Sequence, residues 1–502
     1  MTALKLKRTV KGSHYMKTIF LLFDSLNLRY LQPYGNSEVY CPNFQRLAQH
    51  AVTFDQCYAA SLPCMPARRD LHTGRINFLH RSWGPMEPYD RSFISCLREA
   101  GIYTHLISDH MHYWEEGGSN YHTKYDSWEI IRGQEGDGWI PSIEPCDLSN
   151  LLGRNDVFRR HDIANRKVME ESGKYPLDEI TSNTMRFLAN NHDKDNWFLH
   201  VESFDPHEPF FSHEEFQQLY EDDYIGQEFD WPDYKKVSET KQQIEHCRKR
   251  YASLVSACDA FLGKLLDAFD EYSMWDDTQL IVTTDHGYLL GEHGWWAKTV
   301  QPVYNEVAHT PLFWWSPLWK QAGTRSDQLC QICDFAPTIL RDYGIHIPEH
   351  MTGTPLEFDM TAQKQREKAC CLFGLFGCHL NITDGDYVYM RCPRSTALFE
   401  YTLMPNHMKA AFPREQMKDA QLVSGFSFTN GYPVLRIPAE PWANIDFDEY
   451  GDMLFDITKD PQQLNPIDLP SVKTRLCELM SQELKRCEAP EEAYAYWDLK
   501  KV

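Results

Sequence analysis

The sequence lacks a long hydrophobic run. Its first apolar stretch, residues 19–23, ends at Asp24, is too short for the core of a signal peptide, and has no small-residue cleavage site after it. No stretch approaches the roughly 20 apolar residues of a membrane-spanning helix. Internal repeats and low-complexity tracts are also absent. We therefore expect a globular protein without a membrane partner.

Positive charge is scarce. The chain has 50 lysines and arginines against 72 acidic residues, which gives a net charge of −22. Such a surface repels the phosphate backbone of nucleic acid and anionic membranes, so neither is expected as a partner. A small anionic substrate stays compatible with this charge, because only the field inside its binding site decides whether it binds.

The cysteines lack the even number and regular spacing of a disulfide framework. There are 15 of them, and Cys370 and Cys371 are adjacent. This usage is typical of reduced thiols, so we expect a cytoplasmic location. Residues 1–15 are basic and patternless and are predicted to be an N-terminal tail, with the structural start at Met16.

The sequence does contain alternating strand and helix patterns. Short apolar runs predict buried strands, and apolar residues at helical spacing predict helices. The predicted strands are 19–23, 103–108, 197–202, 279–284 and 311–315, and the predicted helices are 43–52, 178–190 and 241–269. This order predicts an α/β fold with a large, mostly parallel sheet flanked by helices. Site residues are expected at the carboxyl ends of its strands.

The pattern changes near residue 350. Residues 373–390 predict two strands around a turn at 383–386, and 473–486 predicts a closing helix. We therefore predict a catalytic domain at 16–359 and a smaller C-terminal α+β subdomain at 360–502, with a small antiparallel sheet.

Cys64 opens the most informative stretch, Cys-Met-Pro-Ala-Arg at 64–68, which is followed by Thr-Gly-Arg at 73–75. Pro66 can begin a helix, which would place Cys64 at the positive end of the helix dipole and Arg68 one turn on. That environment suits an anionic nucleophile and an anionic substrate. Judged from composition alone, Cys64 is explained equally well as a buried thiol at the start of a helix.

Taken together, these two motifs resemble the signature of the sulfatase family, within the alkaline phosphatase superfamily, and the resemblance covers almost the whole chain from Met16. It implies an alkaline-phosphatase-like fold and a sulfuric ester hydrolase. It also implies that a maturation enzyme converts Cys64 to 3-oxoalanine (formylglycine), whose hydrate attacks the ester sulfur while Arg68 steadies it.

Three metal-binding side chains directly follow predicted strands. Asp24 follows the first strand, and Asp285 and His286 follow the fourth. Taken alone, the two carboxylates could simply cap helices or turns. With the resemblance, Asp24, Cys64, Asp285 and His286 are implied to bind one divalent cation, which would lower the pKa of the attacking hydroxyl.

Ser25 departs from the family pattern, because many sulfatases have a second Asp there. His286 also replaces the Asn of some relatives. Fewer carboxylates and one imidazole weaken the case for Ca²⁺ and favour Mn²⁺, although either ion remains compatible with the sequence. This ligand pattern is similar to that of phosphonate monoester hydrolases and choline-sulfatase-like enzymes, which are usually cytosolic.

Four more residues are implied by the resemblance to contact the reacting group. His207 lies between two prolines, in a turn expected to be extended and rigid, and Lys298 follows two tryptophans. Both could neutralise charge or protonate a leaving oxygen. His110 and His112 would bind substrate, projecting the same way if the strand before them continues. Without the resemblance, surface positions would explain His207 and Lys298.

Three functions are compatible with these residues. The first is hydrolysis of a sulfate monoester, either a small molecule or a saccharide. The second is hydrolysis of a phosphonate monoester or phosphodiester at the same site. The third is an inactive binding protein with unmodified Cys64, against which the complete ligand set argues. Residues 120–139 and 403–408 are predicted either to shape the substrate site or to pack the subdomain. A homo-oligomer is also compatible with the resemblance.

Overall fold

The computed structural model describes residues 16–144, 146–357 and 368–502, so the predicted tail at 1–15 lies outside the described residues. The strands are β1 (Lys17–Phe23), β2 (Val52–Tyr58), β3 (Ser61–Leu62), β4 (Tyr103–Ser108), β5 (Ser127–Ile130), β6 (Leu151–Gly153), β7 (Trp197–Ser203), β8 (Glu228–Trp231), β9 (Thr278–Thr283), β10 (Leu289–Leu290), β11 (Trp296–Ala297), β12 (Leu312–Trp315), β13 (Arg325–Gln331), β14 (Cys371–Leu375), β15 (Leu380–Thr383), β16 (Tyr387–Arg391), β17 (Phe399–Thr402), β18 (Gln421–Val423), β19 (Val434–Pro438) and β20 (Met453–Asp456).

The α-helices alternate with these strands in the first two thirds of the chain. They are α1 (Pro42–His50), α2 (Cys64–Thr73), α3 (Phe93–Glu99), α4 (Val157–Ser172), α5 (Pro176–Asn191), α6 (Glu214–Gln217), α7 (Lys241–Glu271), α8 (Asn305–Ala308), α9 (Phe335–Asp342), α10 (Arg414–Lys418), α11 (Phe447–Tyr450), α12 (Pro470–Arg486) and α13 (Glu491–Tyr496). Among the described helices, none combines the length and the apolar character needed to cross a bilayer.

An eight-stranded sheet forms the centre of the molecule, in the order β13-β2-β12-β9-β1-β7-β4-β5. Its strands pair in parallel except where β12 runs antiparallel to β2 and β9. The predicted α/β fold with a large, mostly parallel sheet is therefore confirmed. All five predicted strands belong to this sheet, and the last of them is the antiparallel one.

Helices cover both faces of the sheet. Successive side chains of a strand point to opposite faces, so Phe20 and Leu22 of β1 join one core while Ile19 and Leu21 join the other. The first core is closed by apolar residues of α2, α3, α9 and α12. The second is closed by α1, α5 and the long helix α7. The sheet is therefore the middle layer of three.

A smaller, five-stranded sheet follows in the order β20-β16-β15-β14-β3. The predicted turn at 383–386 joins β15 and β16 as an antiparallel pair, and β14 adds a strand before them. The predicted closing helix is α12, but α13 comes after it. Strand β3, which directly precedes Cys64, pairs in parallel with β14. The predicted domain boundary at 359/360 lies outside the described residues and stays a prediction.

Candidate active site

Four neighbouring parallel strands end at the same edge of the large sheet. In the order β9, β1, β7 and β4, they are followed by Asp285, by Asp24, by the loop with His207, and by the turn with His110 and His112. Because carboxyl ends of parallel strands meet at one edge, residues far apart in the sequence come together there. The structure therefore places these predicted site residues at the carboxyl ends of neighbouring parallel strands.

Cys64 is the first residue of α2, and the N-terminus of this helix faces the same edge of the sheet. The helix begins at Cys64 itself, so Pro66 lies within its first turn rather than at its first position. Proline is tolerated there because the first N–H groups of a helix have no partner inside the helix. Burial raises the pKa of the Cys64 thiol well above its usual range, with Asp24 adding to the effect. As a plain thiol, Cys64 would be a neutral and poor nucleophile.

The four predicted ligands lie together and are all buried. Their ligand atoms lie within 4.8 Å of one another. The Cys64 Sγ, which stands in for the oxygens of a hydrated aldehyde, lies 3.2 Å from His286 Nε2 and 3.9 Å from Asp24 Oδ1. The other ring nitrogen, His286 Nδ1, pairs with the carbonyl of Gly287 at 2.9 Å, which leaves Nε2 facing the centre. A Cβ on Gly287 would lie 2.1 Å from the carbonyl oxygen of Glu306, so only glycine fits.

Arg68 connects three carboxylates. Its guanidinium donates to Asp24 Oδ2 at 2.9 Å, to Asp285 Oδ2 at 2.7 Å and to Glu202 Oε1 at 3.1 Å, with all four side chains buried. Burial alone would raise the pKa of Asp24, but the charges of Arg68 and Lys298 outweigh it and lower the pKa to about 2. Asp24 is therefore a carboxylate at every ordinary pH.

Glu202 was not among the predicted site residues. Besides Arg68, it accepts hydrogen bonds from the hydroxyls of Tyr113 at 2.9 Å and Ser108 at 2.9 Å. Burial raises its pKa. A signal for it existed in the sequence, because an acidic residue near the end of a predicted buried strand needs a buried cation as a partner.

Lys298 follows β11, and its side chain is buried beside Cys64. Its Nζ lies 3.0 Å from Ser25 Oγ and 3.6 Å from Cys64 Sγ. Burial opposes its charge, yet the nearby carboxylates of Glu208 and Asp24 raise its pKa above the usual range, so it stays protonated. Ser25 also donates to Asp24 Oδ1 at 2.8 Å. The residue that replaces a family carboxylate thus connects the lysine to a metal ligand.

His207 lies in a tight turn, not in the extended loop that its two prolines suggested. Its N–H donates to the carbonyl of Phe204 at 2.9 Å, and its Nδ1 pairs with the carbonyl of Glu208 at 2.6 Å. Burial, aided by the charge of Lys298, lowers its pKa well below the usual range. The ring is therefore neutral at neutral pH.

His110 and His112 lie side by side, but for a different reason than expected. Strand β4 ends at Ser108, so strand alternation does not apply, and a 3₁₀ turn at Met111–Trp114 places the two rings 5.1 Å apart. His110 is buried, and neither ring nitrogen has a hydrogen-bond partner among the described residues. Such nitrogens are costly unless a ligand pairs with them. His112 Nδ1 lies 2.9 Å from Glu115 Oε1.

We call Asp24, Cys64, Arg68, Asp285, His286 and Lys298 the catalytic cluster. Its charges test whether a divalent cation fits. The buried carboxylates around Cys64 are Asp24, Glu202, Glu208 and Asp285, and the buried cations are Arg68 and Lys298. The two negative charges left over match one divalent cation, and the donor set of carboxylate oxygens and imidazole suits such an ion.

A second cavity opens beside the catalytic cluster. It has a volume of about 710 Å³, and we call it the loop-lined pocket because its walls come from segments between the regular elements. The residues that define it are Trp83, Glu135, Arg154, Tyr234, Lys409 and Trp442. The Tyr234 hydroxyl donates to Glu208 Oε1 at 2.5 Å, and Trp83 packs edge-on against His112 at 4.9 Å. Two residues of the pocket wall therefore contact predicted site residues or their neighbours directly.

Comparison with known proteins decides the family. The sulfatase family profile matches residues 17–345, which are well over half of the chain and contain every member of the catalytic cluster. This chain belongs to the sulfatase family. It is therefore a sulfuric ester hydrolase of the alkaline phosphatase superfamily, a family that generally works with a cysteine-derived formylglycine and a divalent metal.

Individual relatives of this sulfatase have low sequence identity, but the similarity extends over most of the chain. It is 22% identical to an arylsulfatase of Clostridium perfringens over 95% of both chains. It is 23% identical to an N-acetylglucosamine-6-O-sulfatase of Bacteroides thetaiotaomicron, over 68% of this chain and 70% of the relative. A choline-sulfatase of Rhizobium meliloti is 26% identical over 59% of this chain and 61% of its own length.

Solved structures confirm the fold of the sulfatase. A protein crystallised with D-glucosamine-2-N,6-O-disulfate superimposes with a TM-score of 0.66 at 17% identity, covering 95% of this chain and 99% of the other. The phosphonate monoester hydrolase of Agrobacterium radiobacter gives 0.66 at 17% identity, covering 96% and 97%. At these identities the likeness concerns the fold alone.

Proposed function

We propose that this sulfatase hydrolyses the sulfate monoester of a saccharide, using formylglycine made from Cys64. The observation that carries the proposal is the position of Cys64 Sγ, within 4 Å of Asp24, His286 and Lys298 in a buried site. The similarity to the N-acetylglucosamine-6-O-sulfatase and to the protein crystallised with a sulfated glucosamine supports a saccharide as the alcohol.

The divalent cation and the hydrated aldehyde that the proposed function requires can be assigned to specific residues. Asp24, Asp285, His286 and the modified Cys64 would hold a divalent cation, which with the hydrated aldehyde supplies an activated oxygen nucleophile. Because one donor is an imidazole and Ser25 replaces a carboxylate, we propose Mn²⁺ rather than Ca²⁺. Elemental analysis of the purified protein checks this, and calcium at one equivalent with no manganese would contradict it.

The remaining side chains are proposed to stabilise negative charge on the reacting group and to protonate the leaving oxygen. Arg68 orients the two carboxylate ligands and carries positive charge toward the nucleophile. Lys298, His207, His110 and His112 are proposed to contact the sulfuryl oxygens. Of these, Lys298 is proposed to give a proton to the leaving oxygen, because it carries one in the resting protein whereas His207 is neutral.

Two measurements test the nucleophile. Mass spectrometry of the peptide containing Cys64, from protein made in the native host, is expected to show the aldehyde rather than the thiol. Protein produced with and without a formylglycine-generating enzyme should differ in sulfatase activity by orders of magnitude. An unmodified thiol in fully active protein would contradict the proposal.

A phosphonate monoester or phosphodiester is the second candidate substrate. It is favoured by the loss of a carboxylate at Ser25 and by the structural similarity to a phosphonate monoester hydrolase. The same nucleophile and charges serve phosphoryl transfer. We expect kcat/KM to be highest for the sulfate monoester when aryl sulfate, phosphonate monoester and phosphodiester are compared. If the sulfate ester is the poorest of the three by orders of magnitude, the primary proposal fails.

We further propose that the protein works in the cytoplasm. All 15 cysteines are unpaired and most are buried, as expected of a chain that folds in a reducing compartment. Cell fractionation checks the location, and recovery from the extracellular medium would contradict it.

A further inference from the structure

Two tracts that the catalytic cluster does not use contribute to the walls of the loop-lined pocket. Glu135 belongs to the aromatic tract at 120–139, and Lys409 directly follows the unusual loop at 403–408. The N–H of Gly117, just before the first tract, donates to the carbonyl of Met408 in the second at 2.7 Å. Lys409 Nζ then contacts Glu115 Oε1 at 3.1 Å, next to His112. The pocket is thus joined to the site by direct contacts.

An aromatic surface forms one wall of the pocket. The rings of Trp83 and Trp442 stack with centroids 5.5 Å apart and planes at 22°. Trp442 is 39% exposed, whereas Trp83 is more buried and lies against His112. Rigid aromatic planes offer a large contact area at little entropic cost, and the C–H face of a pyranose ring packs flat on such a plane.

Glu135 has a buried acceptor atom that no described residue uses. The residue is 9% exposed, and its Oε2 is buried without a hydrogen-bond partner among the described residues. Its backbone adopts a φ of 52°, a left-handed conformation that costs energy in a residue with a Cβ. Strain together with an unpaired buried acceptor points to a donor supplied from outside, such as a hydroxyl.

The charges of the walls limit what the alcohol can be. Besides Glu135, the carboxylates of Asp156 and Asp233 line the pocket, against the cations Arg154 and Lys409. A wall with more carboxylates than cations repels a second sulfate or a uronic acid. Its mixture of donors and acceptors suits neutral hydroxyls. The volume of about 710 Å³ lies within the roughly 300–1,000 Å³ of small-molecule sites.

We propose that the loop-lined pocket binds the leaving alcohol, and that this alcohol is a neutral saccharide ring stacked on Trp442 with a hydroxyl donating to Glu135. The inference rests on the proposed function and names its substrate class. It makes Trp442 and Glu135 determinants of specificity at a distance from the reacting bond.

The test measures binding to the loop-lined pocket and to the catalytic cluster separately, and it does not require turnover. Calorimetric titration of the full-length protein with free N-acetylglucosamine measures the affinity of the pocket. The same titration with inorganic sulfate measures the affinity of the catalytic cluster. Trp442→Ala is expected to weaken sugar binding about tenfold, as the loss of one good contact does, and sulfate binding less than twofold. Glu135→Gln keeps the shape and should weaken sugar binding about threefold.

Tyr40→Ala is the matched control, because Tyr40 is an exposed aromatic residue, 58% exposed, that belongs to neither tract and lies outside the pocket. It should leave both affinities unchanged. Sugar binding that is absent from the parent protein, or unaffected by Trp442→Ala and Glu135→Gln, overturns the proposal. So does tighter binding of choline, which a wall of tryptophans and carboxylates would also attract. Sugar binding without hydrolysis of any sulfate ester would instead refute the proposed function and leave the pocket standing.

Discussion

The catalytic cluster and the loop-lined pocket lie side by side but are built in different ways. The cluster comes from strand ends and a helix start, and its carboxylates are held by Arg68 and Lys298 with two negative charges left for a cation. The pocket comes from loops, with one strained residue and one unpaired carboxylate oxygen at Glu135. The comparison shows that chemistry is placed on the rigid frame, whereas substrate choice is left to segments that can vary without disturbing it.

The largest expected effect comes from Arg68→Lys. A lysine has no planar fork, so it can hold only one of the three carboxylates. We expect kcat to fall roughly 100–1,000-fold and stability by about 3 kcal/mol. Arg69→Lys is the matched control, since Arg69 is equally buried on α2 and forms a bidentate pair with Asp90, at 2.6 and 3.1 Å.

Arg69→Lys should lose comparable stability but little activity. Denaturant unfolding and kcat on an aryl sulfate check both variants. If the two variants lose activity equally, Arg68 acts through folding alone. Its assignment to the chemistry rather than to the structural frame would then be wrong.

A smaller effect is expected from Glu202→Gln. Glu202 touches no substrate and orients Arg68, so the loss should appear in kcat, about 10–100-fold, with KM nearly unchanged. Burial raises the pKa of Glu202, so activity in the parent should rise as the carboxyl loses its proton, and this acid-side step should vanish in Glu202→Gln.

Asp334→Asn is the control for Glu202→Gln, because that buried carboxyl pairs with Lys368 elsewhere in the fold. It should lower stability without changing the pH profile. A Glu202→Gln profile identical in shape to the parent would show that Glu202 is only structural.

The smallest effect concerns pH and the loop next to the pocket. Gln134 donates to both Asp109 and Asp205 at 3.1 Å, and burial raises the pKa of Asp109 to about 7. Its unfolded value is about 3.9, so its contribution to stability is complete below that pH and is lost as the pH rises to about 7.

Asp109→Asn should therefore flatten the fall in stability between about pH 4 and pH 7, by at most about 1.4 kcal/mol per pH unit. Thermal melting over this range measures it. Asp24, with a pKa of about 2, should contribute nothing there. Parallel curves for parent and variant would mean that Asp109 does not titrate in this window.

The sequence was sufficient for residues whose role is marked locally. Asp24 and Asp285 follow apolar runs directly, and Cys64 carries its own motif, so their meeting at one sheet edge follows from parallel topology. His110 and His112 were placed beside each other by a rule that does not apply, because β4 ends before them. The catalytic, metal-binding and substrate-binding roles of all these site residues stay predictions.

Other residues have no local mark. Glu202 matters because Arg68, more than 100 positions earlier, lies opposite it, and no window of sequence contains both. Glu135 is informative only through its φ angle and its unpaired oxygen, which exist in the folded chain alone. Pairing across a fold is what periodicity and motif spacing cannot report.

The pairing of β3 with β14 has a consequence for the timing of maturation. Cys64 is 2% exposed, and the strand just before it is covered by Cys371–Leu375, about 300 residues downstream. An enzyme that oxidises the thiol needs the segment in an accessible form. At 5–20 residues per second, synthesis leaves it without that cover for roughly 15–60 s. For the proposed conversion of Cys64, the order in which the ribosome delivers these two strands thus sets an interval in which the modifying enzyme has access to the thiol.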